Sequence, residues 1–268
     1  MSHTESRHAL LEPLLADPSR SAILTDVDGT LAPIAMRPEA AEVPDAAKAV
    51  LRALADRFGL VACVTGRRAL EARSMVGVGE LLYVGNQGYE LLVPGDAEPV
   101  STPAAGPRRG LAADFVGRID RDSFAVLGLR HEDKGPIQAI HWRGAADQEA
   151  AQQEVTRIAR QAERSGLLAL WGRKILELRP VAGIDKGTAV HGLVLDRAPL
   201  AAALFIGDDR TDLDAFRALR ALAGTHRLGR ALLVGVSSAE GPPEIVSEAD
   251  LVVDGTDGVL ELLRELAS

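Results

Sequence analysis

Two carboxylates, Asp26 and Asp28, follow the apolar run Ala22–Thr25 in the string Asp26-Val27-Asp28-Gly29-Thr30. Side chains two apart on extended backbone point the same way, so both can face one reacting centre. A carboxylate that attacks phosphorus splits the hydrolysis of an ester into two easier displacements. A second carboxylate beside it can protonate the leaving oxygen and later activate water. The attacking anion meets an already anionic ester, so the pair needs a cation held close by. A second acidic group arrives far along the chain, where the run Leu204-Phe205-Ile206 leads into Gly207-Asp208-Asp209-Arg210-Thr211-Asp212, with Asp214 just beyond. Oxygen ligands of this kind suit a hard divalent ion, which screens the repulsion and orients the phosphate.

Taken singly, these residues have plainer uses: Asp-Gly is a turn dipeptide, and Asp before a helix caps it. Taken together, D-x-D-G-T after one apolar strand and G-D-D-x-T-D after another resemble the haloacid-dehalogenase-like phosphohydrolases. The resemblance implies Asp26 as nucleophile, Asp28 as general acid and base, and Asp208 as the main distal magnesium ligand. Asp26, Asp28, Asp209 and Asp212 complete the implied metal set. Two further segments extend the match. The apolar run Leu60–Val64 ends in Thr65-Gly66-Arg67, where a hydroxyl and newly exposed backbone N–H groups can hold a phosphate oxygen. Asp185-Lys186-Gly187 opens a predicted helix, and the order of motifs makes Lys186 the ammonium that neutralises the attacked phosphate and the nucleophile.

These groups need a frame. Short apolar strands alternate with helical stretches at both ends of the chain: strand 22–25, helix 45–58, strand 60–64, helix 68–76 and strand 81–85, then helix 186–195, strand 203–206, helix 212–221, strands 232–236 and 251–253, and helix 258–266. Such alternation predicts an α/β fold with a doubly wound parallel sheet whose ligands lie beyond the strand carboxyl ends, where all four motifs fall. The middle differs. After a Pro/Gly-rich stretch, 94–107, come a helix (108–121), a strand pair (124–131 and 136–143), a long helix (146–165) and another strand pair (167–171 and 174–178). The expected organisation is a core of residues 1–106 and 182–268 with an inserted α+β cap over 107–181.

Composition narrows the partners. Thirty Lys plus Arg against 38 Asp plus Glu, a net charge of −8, give no basic footprint for nucleic acid or an anionic membrane. An anionic small substrate must therefore meet a local positive focus. No run approaches the roughly 18 apolar residues of a membrane span, and the first residues lack a secretory apolar core, so the expectation is a cytoplasmic location; a monomer is expected as well. Cys63, the only cysteine, sits in a predicted buried strand and reads as a core residue.

The cap carries the clues to the ester. Glu132-Asp133-Lys134-Gly135 ends one strand and Ile137–Arg143 forms the next. On the last strand, alternation puts Arg173, Ile175, Glu177 and Arg179 on one face with Lys174, Leu176 and Leu178 behind. Paired carboxylates and cations suit a polyhydroxylated sugar, whose hydroxyls both donate and accept. D-x-D-G-T-L-x-P-I, G-N-x-G-x-E, E-D-K-G with H-W-R, K-x-L-E-x-R-P and F-I-G-D-D-x-T-D together resemble trehalose-6-phosphate phosphatases, from about Ala22 to the C-terminus. That resemblance implies a magnesium-dependent phosphatase working through an aspartyl-phosphate, with any trehalose-phosphate synthase a separate partner in the pathway. It implies Glu132, Lys134, Arg173 and Glu177 as the grip on the distal sugar, Arg67 and Asn86 at the mouth between core and cap, and Gly66 as a further substrate-binding residue. Gln87, Asp133 and Leu213 depart from the pattern, where His, Asn and Glu are expected. Hydrolysis of another glycosyl phosphate, such as glucosylglycerol phosphate or sucrose phosphate, would share nearly every motif. A phosphomutase would use the same second Asp, whereas a silent sugar-phosphate sensor has no need of the nucleophile. His141 reads as a packed strand residue.

Overall fold

The computed structural model describes residues 7–35, 40–102, 110–172, 174–180, 183–197, 199–239 and 241–268. They divide into two compact units, Met1–Ser101 with Ile184–Ser268, and Thr102–Gly183. The first unit begins with α1 (Arg7–Ala16), β1 (Ser21–Thr25), α2 (Asp45–Arg57), β2 (Leu60–Val64), α3 (Ala69–Val76), β3 (Leu82–Gly85), β4 (Glu90–Leu92) and β5 (Val100–Ser101). The second holds α4 (Leu111–Gly117), α5 (Arg121–Leu127), β6 (Arg130–Lys134), β7 (Ile137–His141), α6 (Gln148–Arg164), β8 (Leu167–Gly172) and β9 (Ile175–Pro180). The chain then returns to the first unit with α7 (Lys186–Asp196), β10 (Leu200–Gly207), α8 (Asp212–Gly224), β11 (Leu228–Ser237), α9 (Pro243–Glu248), β12 (Leu251–Asp254) and α10 (Gly255–Ala267).

The first unit is built on one sheet in the order β12-β11-β10-β1-β2-β3-β4-β5. Its strands are parallel from β12 to β3, and the short β4 and β5, absent from the sequence expectation, extend it antiparallel. Ile23, Val61, Cys63, Leu204 and Ile206 pack on one side against α1, α2 and α10. Ala22, Leu24, Ala62, Val64 and Phe205 pack on the other against α7 and α8. Burial on both faces is why these strands read as unbroken apolar runs rather than as alternating ones. Burial pushes the Cys63 thiol up, in keeping with a core residue. Among the described residues, no helix is long and apolar enough to cross a membrane.

The second unit is a four-stranded antiparallel sheet, β6-β7-β9-β8, with its core on one face. Ile140, Leu176 and Leu178 of the sheet pack there with Phe115 of α4, Phe124 of α5, and Val155 and Ile158 of α6. The strand predicted over 124–131 is wrong in its first half: Arg121–Leu127 is helical. Asp120 caps it by accepting from the Asp122 backbone N–H, and Gly128 ends it in a left-handed conformation. The helix predicted over 108–121 is correspondingly shorter, with Leu111–Gly117 its described part.

Candidate active site

β1 and β10 are neighbours, so the two acidic motifs leave the sheet side by side. The Asp26 N–H still donates to the Ile206 carbonyl (2.9 Å), holding the Asp26 backbone in line with β10. Past it the chain turns sharply: Leu31 and Ala32 donate to the Val27 carbonyl and Gly29 donates to that of Ala32. Gly29 sits at φ 80°, and a Cβ there would lie 2.0 Å from Asp208 Oδ2. Thr30 Oγ1 donates to the other Asp208 oxygen (3.1 Å). Gly29→Ala combines a left-handed alanine with a displaced carboxylate and is expected to cost about 1–3 kcal/mol. Urea denaturation reads this directly, and an unchanged midpoint would show that the turn tolerates a side chain.

Asp212, in the first turn of α8, folds back over the end of β10. Its Oδ2 accepts from the backbone N–H groups of Asp208 and Asp209, both at 3.0 Å. Gly207 makes room for this, since a Cβ there would lie 2.4 Å from Asp212 Cγ. The other oxygen accepts from Lys186 Nζ at 2.7 Å, and the same ammonium lies 2.9 Å from Asp26 Oδ1. Asp185 caps α7 in a capping box with Thr188, which fixes the helix start and therefore Lys186. Lys186, Asp26, Asp208 and Asp212 are all buried.

Oxygens of Asp26, Asp208 and Asp212 lie within 4.8 Å of one another. Burial raises the Asp26 carboxyl well above the ordinary carboxylate range; Lys186 opposes the rise, and Asp212 and Asp208 add to it. Asp208 is pushed up to about 7, first by burial and then by Asp212. Burial alone would favour a neutral Lys186, but Asp212 and Asp26 outweigh it and raise the ammonium above its usual value. Three carboxylates against one ammonium leave this buried cluster short of positive charge, and an all-oxygen donor set fits a hard divalent cation. Asp28 and Asp209, predicted as ligands, do not join it with their side chains. Asp28 faces Arg67, and Asp209 is exposed and lends Asp212 its backbone N–H.

Arg67 grips Asp28 at both oxygens, Nε to Oδ2 at 2.7 Å and Nη2 to Oδ1 at 2.6 Å. Its own backbone N–H donates to Thr65 Oγ1 (3.2 Å), so the segment Thr65-Gly66-Arg67 curls beside the Asp28 carboxylate. Asn86, expected at the mouth, is fully buried: its amide donates to Glu90, and Glu90 in turn accepts from the Ala69 N–H. Asn86 and Glu90 thus brace the loop behind Thr65. Leu213 is a core residue of α8 packed with Phe205 and Phe216, so this departure from the family pattern lies in the hydrophobic core.

In the second unit, the register of β6, β7, β9 and β8 puts Glu132, Ala139, Glu177 and Leu170 in one row, with Lys134 and Arg179 in the next. Lys134 donates to Glu177 (3.2 Å) and Arg179 pairs with its other oxygen. Burial would raise Glu177, but Arg179 and Lys134 prevail and hold it below the usual range. His141, expected only to pack, lies 2.6 Å from Glu132, whose carboxyl this hydrogen bond brings down to about 2. Alternation had put His141 and Glu132 on their own strands, but only the register shows that they meet. Asp133 points to the opposite face and belongs to the β6–β7 hairpin, where it accepts from the Gly135 N–H and from Gln138. Arg173 lies outside the described residues.

The trehalose-phosphatase family profile matches residues 24–256. The trehalose-phosphate phosphatase of Mycobacterium avium is 35% identical over 204 residues, 74% of this chain and 51% of that protein. A Mycobacterium tuberculosis protein described as an uncharacterised glycosyl hydrolase is 35% identical over 207 residues, but they make up only 15% of its length. The chain thus spans about half or less of these two relatives. Zea mays trehalose 6-phosphate phosphatase RA3 is 29% identical, over all of this chain and 76% of that protein. Among solved structures, a trehalose-6-phosphate phosphatase related protein superposes with a TM-score of 0.70 at 26% identity, covering 92% of this chain and 96% of that one. The C-terminal domain of Candida albicans trehalose-6-phosphate phosphatase gives 0.76 at 23%, covering 98% and 97%, a likeness of fold.

Proposed function

The chain belongs to the trehalose-phosphatase family, and from that membership we propose that it is a magnesium-dependent phosphohydrolase that releases trehalose and phosphate from trehalose 6-phosphate. The observation that carries this is the buried constellation of Asp26, Lys186, Asp212 and Asp208 at the ends of two adjacent parallel strands, with Asp28 two residues beyond the nucleophile. A free Asp26 oxygen attacks phosphorus as the bond from phosphorus to the sugar oxygen breaks, and Asp28 delivers a proton to that oxygen. Water then attacks the aspartyl-phosphate while Asp28 takes its proton, returning Asp26 as a carboxylate and releasing phosphate. Lys186 and the Thr65 hydroxyl hold the phosphoryl oxygens. Both Asp28 oxygens accept from Arg67 in the resting site, so one must be released before Asp28 can pass on a proton. A magnesium ion held by Asp26, Asp208 and Asp212 supplies the positive charge that lets an anion approach a phosphate dianion.

Glu132, Lys134, Arg173 and Glu177 are the proposed contacts of the sugar hydroxyls. Each carboxylate on this face is already paired with a cation, the arrangement that lets it accept from a hydroxyl while its neighbour donates. Among them Glu132 is the better probe, because removing Glu177 would also strand the buried Arg179. Glu132→Ala is expected to lower kcat/KM for trehalose 6-phosphate by roughly ten- to a hundredfold, about 1.5–3 kcal/mol for a lost charged hydrogen bond. It should cost p-nitrophenyl phosphate far less. Phosphate release from trehalose 6-phosphate, sucrose phosphate, glucosylglycerol phosphate and glucose 6-phosphate tests the reading itself. Glucose 6-phosphate should be the poor member of the panel, since one ring forgoes the remote binding energy. Equal turnover of it, or equal losses of both esters in Glu132→Ala, would replace the disaccharide phosphatase by a general sugar phosphatase. Gln87, where the family pattern has His, keeps another glycosyl phosphate as the second reading.

A further inference from the structure

We propose that the carboxamide of Gln87 is a specificity-determining contact that recognises a hydroxyl of the esterified sugar, an assignment that rests on the sugar-phosphate reading above. Three successive residues, Asn86, Gln87 and Gly88, have φ of 50°, 61° and 115°. Two of them carry side chains that disfavour this region, and such conformations persist only where their surroundings enforce them. Here the enforcement is direct: the Asn86 N–H donates to the Arg67 carbonyl (2.7 Å) and the Gln87 N–H to that of Thr65 (2.9 Å). Asn86 is itself anchored by Glu90 (2.8 Å). The loop is thereby clamped onto Thr65-Gly66-Arg67.

The consequence is the placement of one side chain. The Gln87 amide lies over Gly66, with Nε2 2.7 Å from where a Cβ on Gly66 would be. Gln87 is only 9% exposed, and its Oε1 is buried with no hydrogen-bond partner. Among the described residues neither end of the amide is bonded. A buried amide left unpaired is costly and uncommon in folded proteins, so this one calls for an external partner. Gly66 stands between Thr65, the proposed phosphate contact, and Arg67, which holds Asp28. The amide therefore borders the group that protonates the leaving oxygen, the place where the alcohol half of the ester has to sit.

The chemistry of the partner follows from that of the amide. A phosphate dianion only accepts hydrogen bonds and cannot satisfy Oε1, whereas a sugar hydroxyl donates and accepts at once. It matches the amide whichever way round the oxygen and nitrogen are placed.

Gln87→Met keeps the length and loses both polar ends. Thermal unfolding of the free protein should give a Tm equal to or above that of the parent, because an unpaired buried amide has been removed. The ratio of kcat/KM for the preferred sugar ester to that for p-nitrophenyl phosphate should fall about tenfold. Competitive inhibition by the sugar product should weaken by a similar factor, and inhibition by inorganic phosphate should not. An unchanged ratio, or a lower Tm with equal losses on both esters, would make Gln87 a structural amide and overturn the proposal. A parent protein that cleaves p-nitrophenyl phosphate but no sugar ester would instead sink the sugar-phosphate reading. One that prefers a sugar other than trehalose leaves Gln87 to be judged on that ester.

Discussion

Asp26→Asn is expected to fold as the parent does and to release phosphate at least a thousandfold more slowly, in the range of losses seen when a nucleophile is deleted. The amide is nearly isosteric, and the backbone bond from residue 26 to Ile206 does not depend on the side chain. Lys186 keeps Asp212 as its partner at 2.7 Å, so the ammonium is not left unpaired. What disappears is the attacking oxygen anion and one of three mutually repelling carboxylates. Stability should therefore hold or rise in the absence of metal, while acid-quenched reactions yield no phosphorylated protein. More than about a hundredth of the parent activity, with the fold intact by circular dichroism, would remove Asp26 from the nucleophile's role.

Chelation should be nearly as severe. EDTA is expected to bring phosphate release to background and magnesium to restore it, because three buried carboxylates face a single ammonium. The same deficit gives a reading that does not involve turnover. Magnesium should raise the Tm of the parent by binding only the folded state, and the shift should be lost in Asp208→Ala, which removes a carboxylate of the cluster and the acceptor of Thr30. Full activity in chelator, or a magnesium-dependent Tm that survives Asp208→Ala, would remove the cation from this cluster.

The first unit was legible because its central strands β1, β2 and β10 are covered on both faces and each runs into a reactive motif, so apolar run and motif occur together. Asp26, Asp28, Thr65, Lys186 and Asp208 all stand at or just past strand or helix ends that apolar runs and the order of the motifs locate. The errors came where periodicity is weak. Residues 124–127, Phe-Ala-Val-Leu, are apolar enough for a strand, and what makes them part of a helix is the Asp120 cap and the left-handed Gly128. Asn86 is expected at the mouth of the site, yet its amide donates inward to Glu90. Contacts such as Thr30 with Asp208 or His141 with Glu132 depend on register and on turns, neither of which spacing along the chain reveals.

The position of β1 bears on how the molecule assembles. This strand is flanked by β2, close in sequence, and by β10, and the Thr30 hydroxyl reaches Asp208 across 178 positions. Pairings so distant slow folding, since a long loop must close before any contact rewards it. On the ribosome the segment 102–183, contiguous and with its own sheet and core, is complete while β1 still waits as an open edge, the kind of edge that pairs with foreign strands. The carboxylate cluster does not exist until Asp212 has emerged, so the arrival of β10 covers that edge and the start of α8 then completes the acidic site.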